Sequence, residues 1–334
     1  VKAISTPGSI HWFSQTLVRE IGALAFLVVL CLSLGLSQPA FFTAGNLRDI
    51  LVQVSSIAIT AAGMTFVIVS AGIDLSVGSV LALSGCAGCL AALAVGDPEA
   101  GIPFLSGHPV LVGTVATLGT GALCGLVNGY LITGLRLPPF IATLGVMSIA
   151  RGLAFWVSDN SPVEVMSGLR FAAKAKVAEI PLPILLILAT FLMCGVLLKF
   201  TLLGRYTYAI GGNEEAARLS GVRVGRTKLL VYMLCGMLAG LSGLIVAGRL
   251  GWMQPQEGDA FELDVIAAVV IGGTSLYGGQ GSLFGTLLGA LIMGVVRNGL
   301  NLLGVNYNVQ KIVLGTIIVV AVSSDVLVRK FMKR

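Results

Sequence analysis

The chain has 334 residues, 56% of them hydrophobic and only 11% charged, with a mean hydropathy of +0.97; this balance excludes a soluble domain and reads as a polytopic membrane protein. Its net charge of +6 calls for no nucleic-acid partner, because the basic residues gather in loops and at the C-terminus, where membrane orientation accounts for them. The six cysteines all lie in apolar runs, and Cys86 and Cys89 have no second pair or histidine cluster nearby, so they read as packing residues rather than as a metal or redox centre.

Lys2 and Arg19 precede an apolar run from Ile21 to Leu36. No small-x-small cleavage site follows, so the run reads as a retained first span. A span needs about twenty apolar residues, and the hydropathy breaks place spans near 21–37, 48–70, 73–95, 109–133, 139–158, 182–199, 228–248, 264–278, 282–303 and 310–328. About ten spans put both termini on one side, and Arg329, Lys330, Lys333 and Arg334 make that side cytoplasmic. The expected architecture is all-α: a cytoplasmic N-terminal segment 1–20, a transmembrane domain 21–328 with a cytoplasmic loop at about 200–227, and a cytoplasmic tail 329–334. The outer loop 96–108 agrees, carrying Asp97 and Glu99 but no Lys or Arg. The outer loop 159–181 agrees less well, since Arg170, Lys174 and Lys176 offset Asp159, Glu164 and Glu179.

Glycine recurs at every fourth residue in Gly121, Gly125 and Gly129, in Gly236 and Gly240, and in Gly281, Gly285 and Gly289. Each row leaves one helix face nearly flat, and flat faces let backbones approach closely in lipid. Two stretches read as breaks at membrane depth: Gly72-Ile-Asp-Leu-Ser-Val-Gly-Ser79 and Gly272-Gly-Thr-Ser-Leu-Tyr-Gly-Gly-Gln-Gly-Ser282. Irregular backbone is tolerated there only where protein or a watery cavity satisfies it. Gly72, Asp74, Ser76, Gly78, Thr274 and Ser275 are therefore candidates for bordering a polar path; for Asp74 the alternative is a helix cap in a tight turn. Asn298 and Asn301, three apart on one helix face, are expected either to join that path or to bond to adjacent helices.

The one long polar interruption runs from Leu203 to Lys228. Asn213 suits a helix N-cap, Glu214 and Glu215 suit the first turn, and Gly221 suits the position after the C-cap. The spacing predicts a helix of about two turns, with Ala216, Ala217 and Leu219 as an apolar patch and Arg218 and Ser220 beside it. Such a helix either plugs into a partner's groove or is a turn within a connecting loop.

No Gly-x4-Gly-Lys-Ser/Thr phosphate loop occurs, so no ATP site of that type is expected in this chain. An ion-coupled secondary carrier, the alternative function, places ionisable residues deep in its spans; only Asp74, Arg151, Arg297 and Lys311 are candidates, and each can sit near a span end.

Gly211-Gly-Asn-Glu-Glu-Ala-Ala-Arg-Leu-Ser-Gly-Val222, Gln254-Pro255, Glu262-Leu-Asp264, Ala267 through Leu276 and Asn298-Gly-Leu-Asn-Leu-Leu-Gly304 together resemble the ribose-type sugar permeases of bacterial ABC importers. Upstream, Gly63-Met64-Thr65, Gly72 to Ser79 and Pro139-Phe-Ile-Ala-Thr-Leu-Gly145 extend the resemblance over roughly residues 40–325. It implies a permease in the bacterial inner membrane that works as a pair, homodimeric or heterodimeric, and receives sugar from a periplasmic binding protein. It also implies a cytoplasmic ATPase subunit that carries the ATP, and for Asn213 to Gly221 the role of coupling helix seated on that subunit.

Overall fold

The computed structural model describes residues 8–96 and 107–332. The outer-loop residues Asp97 and Glu99 and the first seven residues of the N-terminal segment lie outside that range. The chain runs α1 (Gly8–Ser37), α2 (Ala44–Val69), α3 (Val77–Gly96), α4 (Pro109–Thr133), α5 (Pro139–Val157), β1 (Val163–Glu164), α6 (Phe171–Lys174), β2 (Lys176–Val177), β3 (Ile180–Pro181), α7 (Leu182–Phe200), α8 (Leu202–Gly212), α9 (Glu214–Leu219), α10 (Val224–Leu250), β4 (Trp252–Met253), α11 (Phe261–Ile271), α12 (Leu283–Leu302) and α13 (Tyr307–Met332). The fold is an all-helical polytopic bundle. Among the described residues eight helices are long and apolar enough to cross a membrane, and the described apolar part of α13 is Tyr307–Ser323.

The helix that carries the first span begins at Gly8, ahead of its apolar part Glu20–Ser37. Two expectations shift. The span expected at 264–278 is the half-length helix α11, eleven residues long, or roughly 16 Å at 1.5 Å per residue. The loop expected at about 200–227 is mostly helical, since α8 precedes the short capped helix.

The inner helices α2, α3, α10 and α12 are largely buried, while α1, α4, α5 and α7 are peripheral and expose Val29, Leu123, Ile149 and Leu192 as an apolar surface suited to lipid. The seam between α4 and α10 is built on glycine. A Cβ on Gly121 would lie 2.3 Å from the Gly236 carbonyl oxygen, and one on Gly125 would lie 2.2 Å from that of Tyr232. These contacts are backbone on backbone, as the four-residue spacing predicted. Across α2, Gly63 meets the Cys235 backbone, and Thr60 Oγ1 donates to Ser242 Oγ at 2.8 Å.

Two non-helical segments enter the bundle from opposite ends. At one end α2 stops where Ala71 takes φ 59° and Gly72 N bonds Val67 O at 2.9 Å; the chain then runs extended to the start of α3. From the other end, after Gly251 (φ 84°) ends α10, residues 254–260 run inward to the start of α11. The second segment touches the first turn of α3, where a Cβ on Gly78 would lie 2.2 Å from the Gly258 carbonyl oxygen. Arg151 of α5 holds the second segment, donating through Nη1 to the carbonyls of Pro255 (2.5 Å) and Glu257 (2.7 Å), so backbone polar groups without secondary-structure partners are satisfied at depth.

Candidate functional site

Between α2, α10, α11, α12 and α13 lies a cavity of about 870 Å³. Its walls carry Gln53 and Ser56 of α2, Arg249 of α10, Gln256, Glu257 and Asp259 of the inward-running segment, Asp264 of α11, Arg297 and Asn301 of α12, and Tyr307, Gln310 and Lys311 of α13. Three cationic and three anionic side chains therefore face one space, which is neutral in sum. Arg297 pairs with Asp264 at 2.5 Å, Gln310 donates to Asn301 Oδ1 at 2.8 Å, and Lys311 sits 4.9 Å from the centre of the Tyr307 ring. The arrangement offers many amide, hydroxyl and carboxylate partners and no net field, which suits an uncharged solute rich in hydroxyls.

The second feature lies at the opposite end of α10, roughly 40 Å away along a 27-residue helix. Asn213 caps α9, its side chain accepting from Ala216 N at 2.9 Å. The end of α9 is a Schellman stop: Gly221 N bonds Arg218 O and Val222 N bonds Ala217 O, both at 3.0 Å, with Gly221 at φ 85°. Glu214 receives Lys228 Nζ of α10 at 2.7 Å and Arg218 at 3.1 Å. The Lys228 hydrogen bond holds the Glu214 carboxyl below its ordinary range, so this tie is in place at neutral pH and is lost as pH falls through that lowered value. Ala217 faces inward while Leu219 is 81% exposed, leaving an apolar knob at the tip, with Glu215, Arg218 and Ser220 around it.

The candidates singled out in the sequence fall in different places. Asn213 to Gly221 stay together as α9 and its two caps, with Ala217 turned inward and the rest at or near the surface. Of the eight path candidates only Asn301 lines the cavity. Asn298 exchanges two hydrogen bonds with Asn46, at 2.8 and 3.1 Å, and is buried. Asp74 is also buried, accepting from Ser76 N (2.9 Å), Ser76 Oγ (2.6 Å) and Asn128 Nδ2 (3.4 Å), a tight turn ahead of α3. Gly72 packs under Tyr232, and Gly78 meets Gly258. Thr274 and Ser275 lie in the connection between α11 and α12, where Ser275 N bonds Gln280 O at 3.0 Å. Sequence reasoning missed Arg249, Gln256, Glu257 and Asp259, because Gln254-Pro-Gln-Glu-Gly-Asp-Ala260 reads as an ordinary outer loop. The signal available was the short apolar stretch after it, too short to span and opening on Glu262 and Asp264.

The Asn46–Asn298 pair makes a direct prediction. Asn298→Leu removes both bonds of the pair and leaves the Asn46 amide only its donation to Phe41 O at 2.8 Å. The purified chain should lose about 1 kcal/mol of stability, read as a lower thermal midpoint in detergent. Adding Asn46→Leu should recover part of that loss; no recovery would show that the amides do not act on each other.

A profile of the family described as branched-chain amino acid transport system, permease component, matches residues 46–322. The chain is 44% identical over 320 residues to the ribose import permease protein RbsC of Escherichia coli strain K12, covering 94% of this chain and 96% of that one. It is 42% identical to the ribose import permease protein RbsC of Bacillus subtilis strain 168, covering 92% and 93%. It is 37% identical to the fructose import permease protein FrcC of Rhizobium meliloti, covering 91% and 85%. No solved structure matches.

Proposed function

This chain belongs to the branched-chain amino acid transport system permease family, among its ribose-type sugar import permeases, and from that membership we propose that it is the membrane-spanning subunit of an ABC importer for a monosaccharide or similar neutral polar solute. The solute is delivered by a periplasmic binding protein. ATP is bound and hydrolysed on a separate cytoplasmic subunit seated on Asn213 to Gly221, and a second permease copy, identical or related, completes the unit. In the bacterial inner membrane both termini and α9 then face the cytoplasm, and the cavity lies in the periplasmic half.

The observation that carries this reading is the pairing of a charge-balanced polar cavity with an exposed, capped helix at the far end of the same bundle. A path for a sugar replaces water contacts without binding tightly, and neutral amides with balanced charges do that.

Reconstitution with the ATPase subunit and a ribose-loaded binding protein tests it. Gly221→Val forces a β-branched residue into a left-handed conformation, and Glu215→Lys reverses a charge in the first turn. Each should lower ATP-driven ribose uptake by about tenfold while the chain still inserts, because nothing lies within 4 Å of a Cβ on Gly221. Normal uptake by both variants would unseat the ATPase from this helix. Uptake that proceeds without the ATPase subunit would favour the ion-coupled carrier.

A further inference from the structure

Two walls of the cavity run to one joint at the other end of the bundle. α2 lines the cavity with Gln53 and Ser56 and ends at Val69; α11 lines it with Phe261 and Asp264 and leads into the connection 272–282. At the joint Gly279 N donates to Val69 O at 2.8 Å, which ties the connection to the end of α2.

The C-terminal turn of α8 is set into this joint. A Cβ on Gly211 would lie 1.8 Å from Val69 O and 2.5 Å from Gly279 N, and one on Gly279 would lie 3.0 Å from the backbone of Gly212. Gly278 and Gly279 both have positive φ, 82° and 72°, which lets the connection fold over the α8 terminus. Tyr208 OH, one turn earlier, donates to Gly281 O at 2.7 Å. Three segments thus meet backbone against backbone, with no side chain between them at these glycines to absorb a displacement. α9 follows α8 after the single residue Asn213.

We infer that this joint converts a displacement of α9 into a change of angle between α2 and α11, with Tyr208 and Gly211 as the positioning residues. α2 is held to α10 by the Gly63 contact and the Thr60–Ser242 hydrogen bond. α11 is seated backbone on backbone against α12, where a Cβ on Gly272 would lie 2.2 Å from Gly285 O and one on Gly289 1.9 Å from Ala268 O. One on Gly294 of α12, by contrast, meets the Val54 side chain of α2, so α11 and α12 together are the wall that moves. α11 is a half-length helix preceded at its cavity end by the turns of residues 255–260, and its reorientation opens or narrows the space around Asp264. The inference rests on the reading of the chain as an ATP-driven permease and names the route by which the stroke reaches the cavity.

The test measures ATP hydrolysis and ribose uptake on the same vesicles, containing the whole complex and supplied with ribose-loaded binding protein. Tyr208→Phe removes one hydroxyl and adds no bulk. It should keep binding-protein-stimulated ATP hydrolysis while uptake per ATP falls about fivefold, the scale of one hydrogen bond. Gly211→Ala should lower the ratio further, since its methyl has no room beside Val69. An unchanged ratio in Tyr208→Phe overturns the joint, and so does a parallel fall of both activities, which marks a merely structural contact. If Gly211→Ala does not assemble, Tyr208→Phe decides alone. Absence of ATP-driven uptake in the unmodified complex would instead sink the permease reading itself.

Discussion

Gly236→Leu should abolish the assembled bundle, whereas Gly195→Leu should leave it intact. A Cβ on Gly236 would lie 2.2 Å from the Gly121 carbonyl oxygen and about 3 Å from the Gly125 backbone, while nothing lies within 4 Å of one on Gly195. Overpacking a core typically costs about 1–3 kcal/mol when neighbouring side chains can shift. Here the obstacle is backbone, so α4 and α10 must separate along their seam and lose their dispersion contacts together. Monodisperse protein recovered after detergent extraction is the readout. Recovery of Gly236→Leu at the unmodified level would mean that the seam is not closed.

Asp264→Leu should be the most damaging single change in the cavity wall. The Asp264 side chain is 13% exposed and that of Arg297 is 40% exposed. Removing one partner of a fully buried ion pair costs roughly 3–5 kcal/mol. Arg297 reaches into the cavity and keeps part of its hydration, so about 2–3 kcal/mol is expected, seen as a drop in the unfolding midpoint. Arg297→Met in the same chain should restore most of it, because a neutral pair strands no charge. A double variant no more stable than Asp264→Leu alone would show that the carboxylate acts through something other than Arg297.

The parts of the fold that were legible in the sequence rest on local physics. Gly121, Gly125 and Gly129 announce a flat helix face by spacing alone, and that face meets α10. Asn213, Glu214, Glu215 and Gly221 announce a capped helix because capping is settled within a few residues of chain. α8 was not legible: Gly204, Gly211 and Gly212 disfavour a helix, and what holds the segment is tertiary, with Gly204 packed on Leu198 O and Tyr208 bonded to Gly281. The cavity was only partly legible for a similar reason. Asn298 and Asn301 share a face by periodicity, yet Asn298 turns to Asn46, which is 252 residues away in sequence, and Asn301 turns to the cavity. The polar run 254–260 reads as a loop because nothing within it reveals that Arg151 will draw its carbonyls inward.

The glycine seam between α4 and α10 also decides which helices can be stator and which rotor. Where two backbones touch with no side chains between them, there are no rotamers to exchange and no soft layer in which to slide. α4, α10 and, through Gly63, α2 therefore form a fixed frame. α11 and α12 form a second rigid pair by the same rule, joined at Gly272, Gly285 and Gly289, so on the proposed reading the cavity changes shape by movement of that pair and of α13 against the frame.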